Sequence, residues 1–125
     1  MRKIVVVLAA LLFIALNSYA QPGQRGSKQT PEQRAEIQTK KMNKDLILTQ
    51  TQFPKIKEIN LKYAKKFGEI RRNNQGNREV MRNKMKNLYS AKNAELKKVL
   101  TAAQYEKYIK LEEERRKNRK NRGQR

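Results

Sequence analysis

Leu48-Thr49-Gln50-Thr51-Gln52-Phe53 and Leu100-Thr101-Ala102-Ala103-Gln104-Tyr105 carry the same pattern twice in one chain of 125 residues. In each, a Thr stands where a helix N-cap needs a side-chain oxygen, and a Gln three residues later can reach back to the Thr N–H. Leu48 with Phe53, and Leu100 with Tyr105, are placed to close a hydrophobic staple across the cap. A third box opens at Thr30-Pro31-Glu32-Gln33, with Pro at the first helical position, where a missing N–H does no harm. Three helix starts are therefore written in local residues.

Reading outward, the first helix should run from Thr30 to about Leu46 with an apolar stripe through Ala35, Met42 and Leu46. The second opens at Thr49, but Pro54 lies five places past that cap, so the helix either kinks there or restarts with Pro54 as its first residue. Beyond it, Ile56, Ile59, Tyr63, Phe67 and Ile70 recur at helical spacing, with Lys and Arg on most other faces. Asn73-Asn74-Gln75-Gly76-Asn77 reads as a turn. The third helix carries Met81, Met85, Leu88, Leu96 and Val99 on one face, interrupted by Lys92. The fourth starts at Thr101 and carries Tyr105, Tyr108 and Ile109, with Glu112–Arg116 and Glu113–Lys117 as i,i+4 pairs. No segment alternates as a strand would. The expectation is an all-α chain, four long antiparallel helices making a thin domain over residues 30–114. A polar arm at 21–29 precedes it and a tail at 115–125, with seven basic residues and no acid, follows.

The first residues are an address. Met1-Arg2-Lys3, an apolar run of 13 residues from Ile4 to Leu16, and Asn17-Ser18-Tyr19-Ala20 have the parts of a secretory signal cleaved after Ala20. A spanning helix needs roughly 20 apolar residues, and no second apolar stretch follows, so no transmembrane segment is expected after cleavage. Arg2 and Lys3 leave with the signal, which lowers 31 Lys and Arg to 29 against 11 acidic residues, a net charge of +18 on the 105 residues that remain. That charge attracts acidic surfaces and polyanions. Export demotes nucleic acid as the partner. With no Cys to form disulfides and a thin core, a chain of this size is expected to complete its apolar burial in a homodimer.

The doubled Leu-Thr-x-x-Gln pattern, at 48–52 and 100–104, resembles the LTxxQ-motif family of periplasmic proteins, the Spy- and CpxP-like chaperones. The likeness spans residues 30–112, the export signal and the positive charge. Pro54 and the long basic tail depart from the commonest pattern. The resemblance implies a curved, cradle-like homodimer in the periplasm that binds unfolded or partly folded clients without nucleotide and is expressed under envelope stress. The motif residues are Leu48, Thr49, Gln52, Leu100, Thr101 and Gln104, and their physical role is to start helices. Client contacts are expected among Ile56, Tyr63, Phe67, Ile70, Met81 and Met85, with Arg71, Arg72 and Arg82 beside them. Loose binding suits shallow apolar contacts flanked by long basic stems and adaptable Met. The competing reading makes these apolar residues core and dimer seam.

Two other roles fit the charge: partnership with the periplasmic domain of an envelope-stress sensor kinase, as in one branch of the family, and binding of a polyanion through the tail. A metal site is not expected, because the chain has no His, no Cys and a single Asp, Asp45. Catalysis is not expected either. Ser27 and Ser90 have no His to serve as base, no Gly-rich phosphate loop or cofactor motif is present, and thin helices of this composition suggest no pocket.

Overall fold

A computed structural model of the chain describes residues 28–124; the signal segment 1–20, nearly all of the arm at 21–29 and Arg125 lie outside the described residues. The described part is all-α, with α1 (Pro31–Leu46), α2 (Gln52–Asn73), α3 (Arg78–Val99) and α4 (Ala102–Gly123). No helix among the described residues is long and apolar enough to cross a membrane.

All three boxes form. Thr30, Thr49 and Thr101 each accept from the backbone N–H of the Gln three residues on, at 3.2, 3.1 and 3.2 Å. The Gln side-chain oxygen accepts from the Thr N–H at 3.0 Å in every case. At α2 the box closes over a turn at Gln50 and Thr51, and Phe53 N–H already donates to the Thr49 carbonyl at 3.0 Å. The helix proper begins at Gln52, two residues ahead of Pro54, so the proline falls in its first turn. There its missing N–H is tolerated, and Gln50, whose carbonyl it cannot serve, is exposed. At the α2–α3 turn, Asn77 caps α3 by accepting from Val80 N–H at 3.1 Å, while the Asn74 amide donates to the Ile70 carbonyl at 2.8 Å.

The stripes converge on one core at the motif end of the bundle. Met42, Leu46, Ile56, Leu96, Leu100 and Tyr108 form it, with Leu48, Ile59, Val99, Tyr105 and Ile109 packed around. Ile56 and Leu96 are wholly enclosed, at 0 % exposure. Truncating either to Ala removes about 2–5 kcal/mol, a large part of what so small a domain possesses. Asn60 is equally enclosed, its amide donating to Thr39 Oγ1 at 3.0 Å, and the Thr39 hydroxyl donates in turn to the Ala35 carbonyl at 2.6 Å. This polar thread joins α1 to α2. The last helix is continuous through the basic stretch to Gly123. It is fastened by Arg115, which reaches Asp45 at the end of α1 at 2.9 Å and also pairs with Glu112. Glu112 is thus bound one residue short of the Arg116 partner that i,i+4 spacing suggests.

One position is strained. Ile47 ends α1 at φ 54°, ψ 70°, the left-handed region, and is 81 % exposed. A β-branched side chain is ill suited to that conformation, which Gly or Asn adopts readily. Ile47→Asn is expected to raise stability by about 1 kcal/mol, read as a higher midpoint in urea with an unchanged slope.

Candidate functional site

The Gln side chains do more than cap. Each uses its oxygen to close its own box and leaves its nitrogen free to cross to the end of another helix. Gln52 Nε2 donates to the Val99 carbonyl at 3.1 Å and to Gln104 Oε1 at 2.8 Å. Gln104 Nε2 donates to the Leu46 and Ile47 carbonyls at 3.3 and 3.4 Å and to Gln52 Oε1 at 3.1 Å. The start of α2 is thereby tied to the end of α3, and the start of α4 to the end of α1. Helix-end carbonyls with no partner inside their own helix are satisfied in the same step. The motif residues Leu48, Thr49, Gln52, Leu100, Thr101 and Gln104 form a clasp that ties the α1–α2 junction to the α3–α4 junction.

Away from the clasp the helices diverge. An open groove of about 870 Å³ lies between them, walled by residues from all four. This is a correction to the expectation that helices of this composition suggest no pocket. Its apolar surface comes from Ile37, Ala64, Phe67, Met85 and Tyr89. Phe67 and Tyr89 are packed with ring centroids 4.5 Å apart, and the Arg116 guanidinium sits 5.9 Å above the Tyr89 ring. Ile37 is 53 % exposed and Tyr89 37 %, so part of this surface is in contact with solvent.

The charge of the groove is one-sided, with nine basic residues against Glu112. Arg34 and Lys41 come from α1, Arg71 from α2, Arg82 and Lys86 from α3, and Arg116 and Arg119 from α4. None of these seven meets a carboxylate among the described residues. Four other acids are paired off the groove, in Glu36–Lys40, Glu95–Lys62, Glu32–Lys65 and Glu106–Lys110. The inner wall holds Lys92, 2 % exposed, whose ammonium donates to Gln38 Oε1 at 3.0 Å. Burial pushes its pKa down to about 8, against an opposing pull from Glu112. Tyr108, behind it, donates to Asn93 Oδ1 at 3.3 Å, and burial raises its phenol well above the usual range. Among the described residues no cluster of three or more His, Cys, Asp or Glu is arranged to hold a metal ion.

The residues expected to meet clients divide. Phe67, Arg71, Arg82 and Met85 line the groove. Ile56 at 0 % and Tyr63 at 4 % exposure are core, the competing reading of the same stripe, and offer a client no surface. Ile70 and Met81 are half-buried and Arg72 is exposed, all outside the groove lining. Sequence reasoning missed the walls contributed by α1 and α4. Ile37 stands off the α1 stripe, which was the available signal, and Lys92 interrupting the apolar face of α3 was the signal for a buried ammonium.

No curated protein and no solved structure matches this chain. A family model described as a domain of unknown function matches residues 20–108, which takes in α1 to α3 and the opening of α4. With the larger part of its length matched, the chain belongs to that family, DUF4890.

Proposed function

We propose that the protein is an ATP-independent chaperone of the bacterial periplasm that holds unfolded or partly folded polypeptides at the groove and suppresses their aggregation under envelope stress. The observation that supports this reading most is the pairing, in one open groove, of solvent-accessible Ile37 and Tyr89 with seven cations that have no acidic partner among the described residues. The cations raise the encounter rate with acidic chain segments at distances within a Debye length of about 8 Å. The apolar surface is modest and half open, so contacts form without trapping the client. A second copy of the chain, joined as a curved dimer, extends that surface, in keeping with the LTxxQ resemblance.

The test is aggregation of reduced, unfolded α-lactalbumin, followed by light scattering with and without residues 21–125, in the absence of ATP and over a range of salt. Suppression is expected at low salt and should weaken as salt rises. The double substitution Arg71→Glu, Arg82→Glu is expected to weaken client binding by about tenfold, since each reversal replaces an attraction near the mouth by a repulsion. Client aggregation at an unchanged rate, or suppression indifferent to both salt and the substitutions, counts against the proposal.

A further inference from the structure

The inner end of the groove is built differently from its mouth. At the mouth a polypeptide keeps its backbone in water. At the inner end the walls are helices whose own backbone groups are already bonded, so the N–H and C=O groups of an entering peptide would be left to a few side chains, Gln38, Ser90, Lys92 and Asn93. A hydrocarbon chain has no such groups. Ile37, Ala64, Phe67, Met85 and Tyr89 offer it apolar walls, in a space whose size is that of a small-molecule site.

Lys92 supplies the polar end. An ammonium has three N–H donors, and among the described residues Gln38 is its one hydrogen-bond partner. The carboxylate that acts on it, Glu112, is engaged elsewhere, on Arg115. A buried ammonium with donors to spare, facing a groove, has the chemistry to receive an anionic oxygen. The surrounding cations favour the same sign of charge.

We infer that the groove is a binding site for a single-chain amphipathic anion, a long-chain carboxylate or a monoalkyl phosphate, with its head group on Lys92 and its chain along Ile37, Phe67, Met85 and Tyr89. The inference assigns a second kind of ligand to the groove proposed above for clients, and because its test involves no polypeptide the two readings fail independently.

Binding is tested on the full 21–125 chain by calorimetry with four probes: laurate, dodecyl phosphate, the neutral dodecyl maltoside, and inorganic phosphate. Laurate or dodecyl phosphate should bind at least about tenfold tighter than dodecyl maltoside, and inorganic phosphate should bind weakly. Whichever of the two anions binds better identifies the head group. Lys92→Met is expected to weaken the anionic amphiphile about tenfold or more and to leave dodecyl maltoside unchanged. Ile37→Glu, on an exposed wall where the fold is not at stake, should weaken it comparably and serves if the Lys92 variant folds poorly. Equal affinity for the neutral and anionic amphiphiles overturns the inference. So does equal binding of inorganic and alkyl phosphate, or binding indifferent to both substitutions.

Discussion

Replacing Gln52 with Ala is expected to lower the stability of the fold by about 3 kcal/mol, because three partners lose a hydrogen bond at once and two of them are buried or half-buried carbonyl and amide groups. Gln52 is 9 % exposed, and its amide serves the Thr49 N–H, the Val99 carbonyl and Gln104. Gln52→Glu is the sharper variant. It preserves shape and the acceptor for Thr49 but sets a carboxylate oxygen against the Val99 carbonyl and Gln104 Oε1, which the amide nitrogen now joins. The loss should match or exceed that of Ala. A double-mutant cycle with Gln104→Ala is expected to show a coupling of about 1–2 kcal/mol, measured by urea unfolding. Additive losses would mean that the two caps act separately and that the clasp contributes nothing beyond its boxes.

Lys92→Met should have the opposite sign. The parent holds an ammonium at 2 % exposure with one hydrogen bond and a shared carboxylate nearby, and an apolar side chain of similar length removes the desolvation penalty. At neutral pH the variant is expected to be more stable by about 1–3 kcal/mol. The parent's response to pH reports the same penalty. Lys92 titrates near 8 when folded and near 10.5 when unfolded. Below pH 8 both states carry the proton and the penalty is complete. Between 8 and 10.5 the folded state gives the proton up while the unfolded state keeps it, so stability rises with pH, by about 3 kcal/mol over the whole interval. Tyr108 opposes this at the upper end. Its folded pKa is raised by burial, so above pH 10 the unfolded chain ionises there first and stability falls. Stability should therefore peak near pH 10. In Lys92→Met the rise between pH 8 and 10 should shrink to whatever the falling net charge alone provides.

Much of the fold was legible because caps are local. Thr30, Thr49 and Thr101 find their Gln partners three residues away, so the starts of α1, α2 and α4 could be read from a few letters each. The Asn-rich turn at 73–77 is likewise local chemistry, and the stripe through Ile56 and Tyr63 indicated which face of α2 is buried. What could not be read is long-range. Nothing around Gln52 says that its nitrogen will meet a residue 52 positions away. Nor does the Arg115 neighbourhood announce Asp45, 70 positions distant. The groove was missed for the same reason: it is a space left between helices that diverge, and Ile37, Lys92 and Arg116 come together only once the clasp has set the crossing. Ile56 shows the converse limit, since a stripe at helical spacing reveals a buried face without saying whether a partner or the chain's own core covers it.

The proposed placement of clients at the groove can be tested on methyl groups. In a chain labelled at Ile and Met methyls, Ile37 and Met85 line the groove, whereas Ile47 is more exposed than Ile37 and lies outside it. On adding reduced, unfolded α-lactalbumin, the Ile37 and Met85 signals should shift or broaden while Ile47 stays in place. Perturbation of Ile47 with Ile37 and Met85 unmoved would contradict the account, since exposure alone, and not the basic groove, would then govern where a client lands.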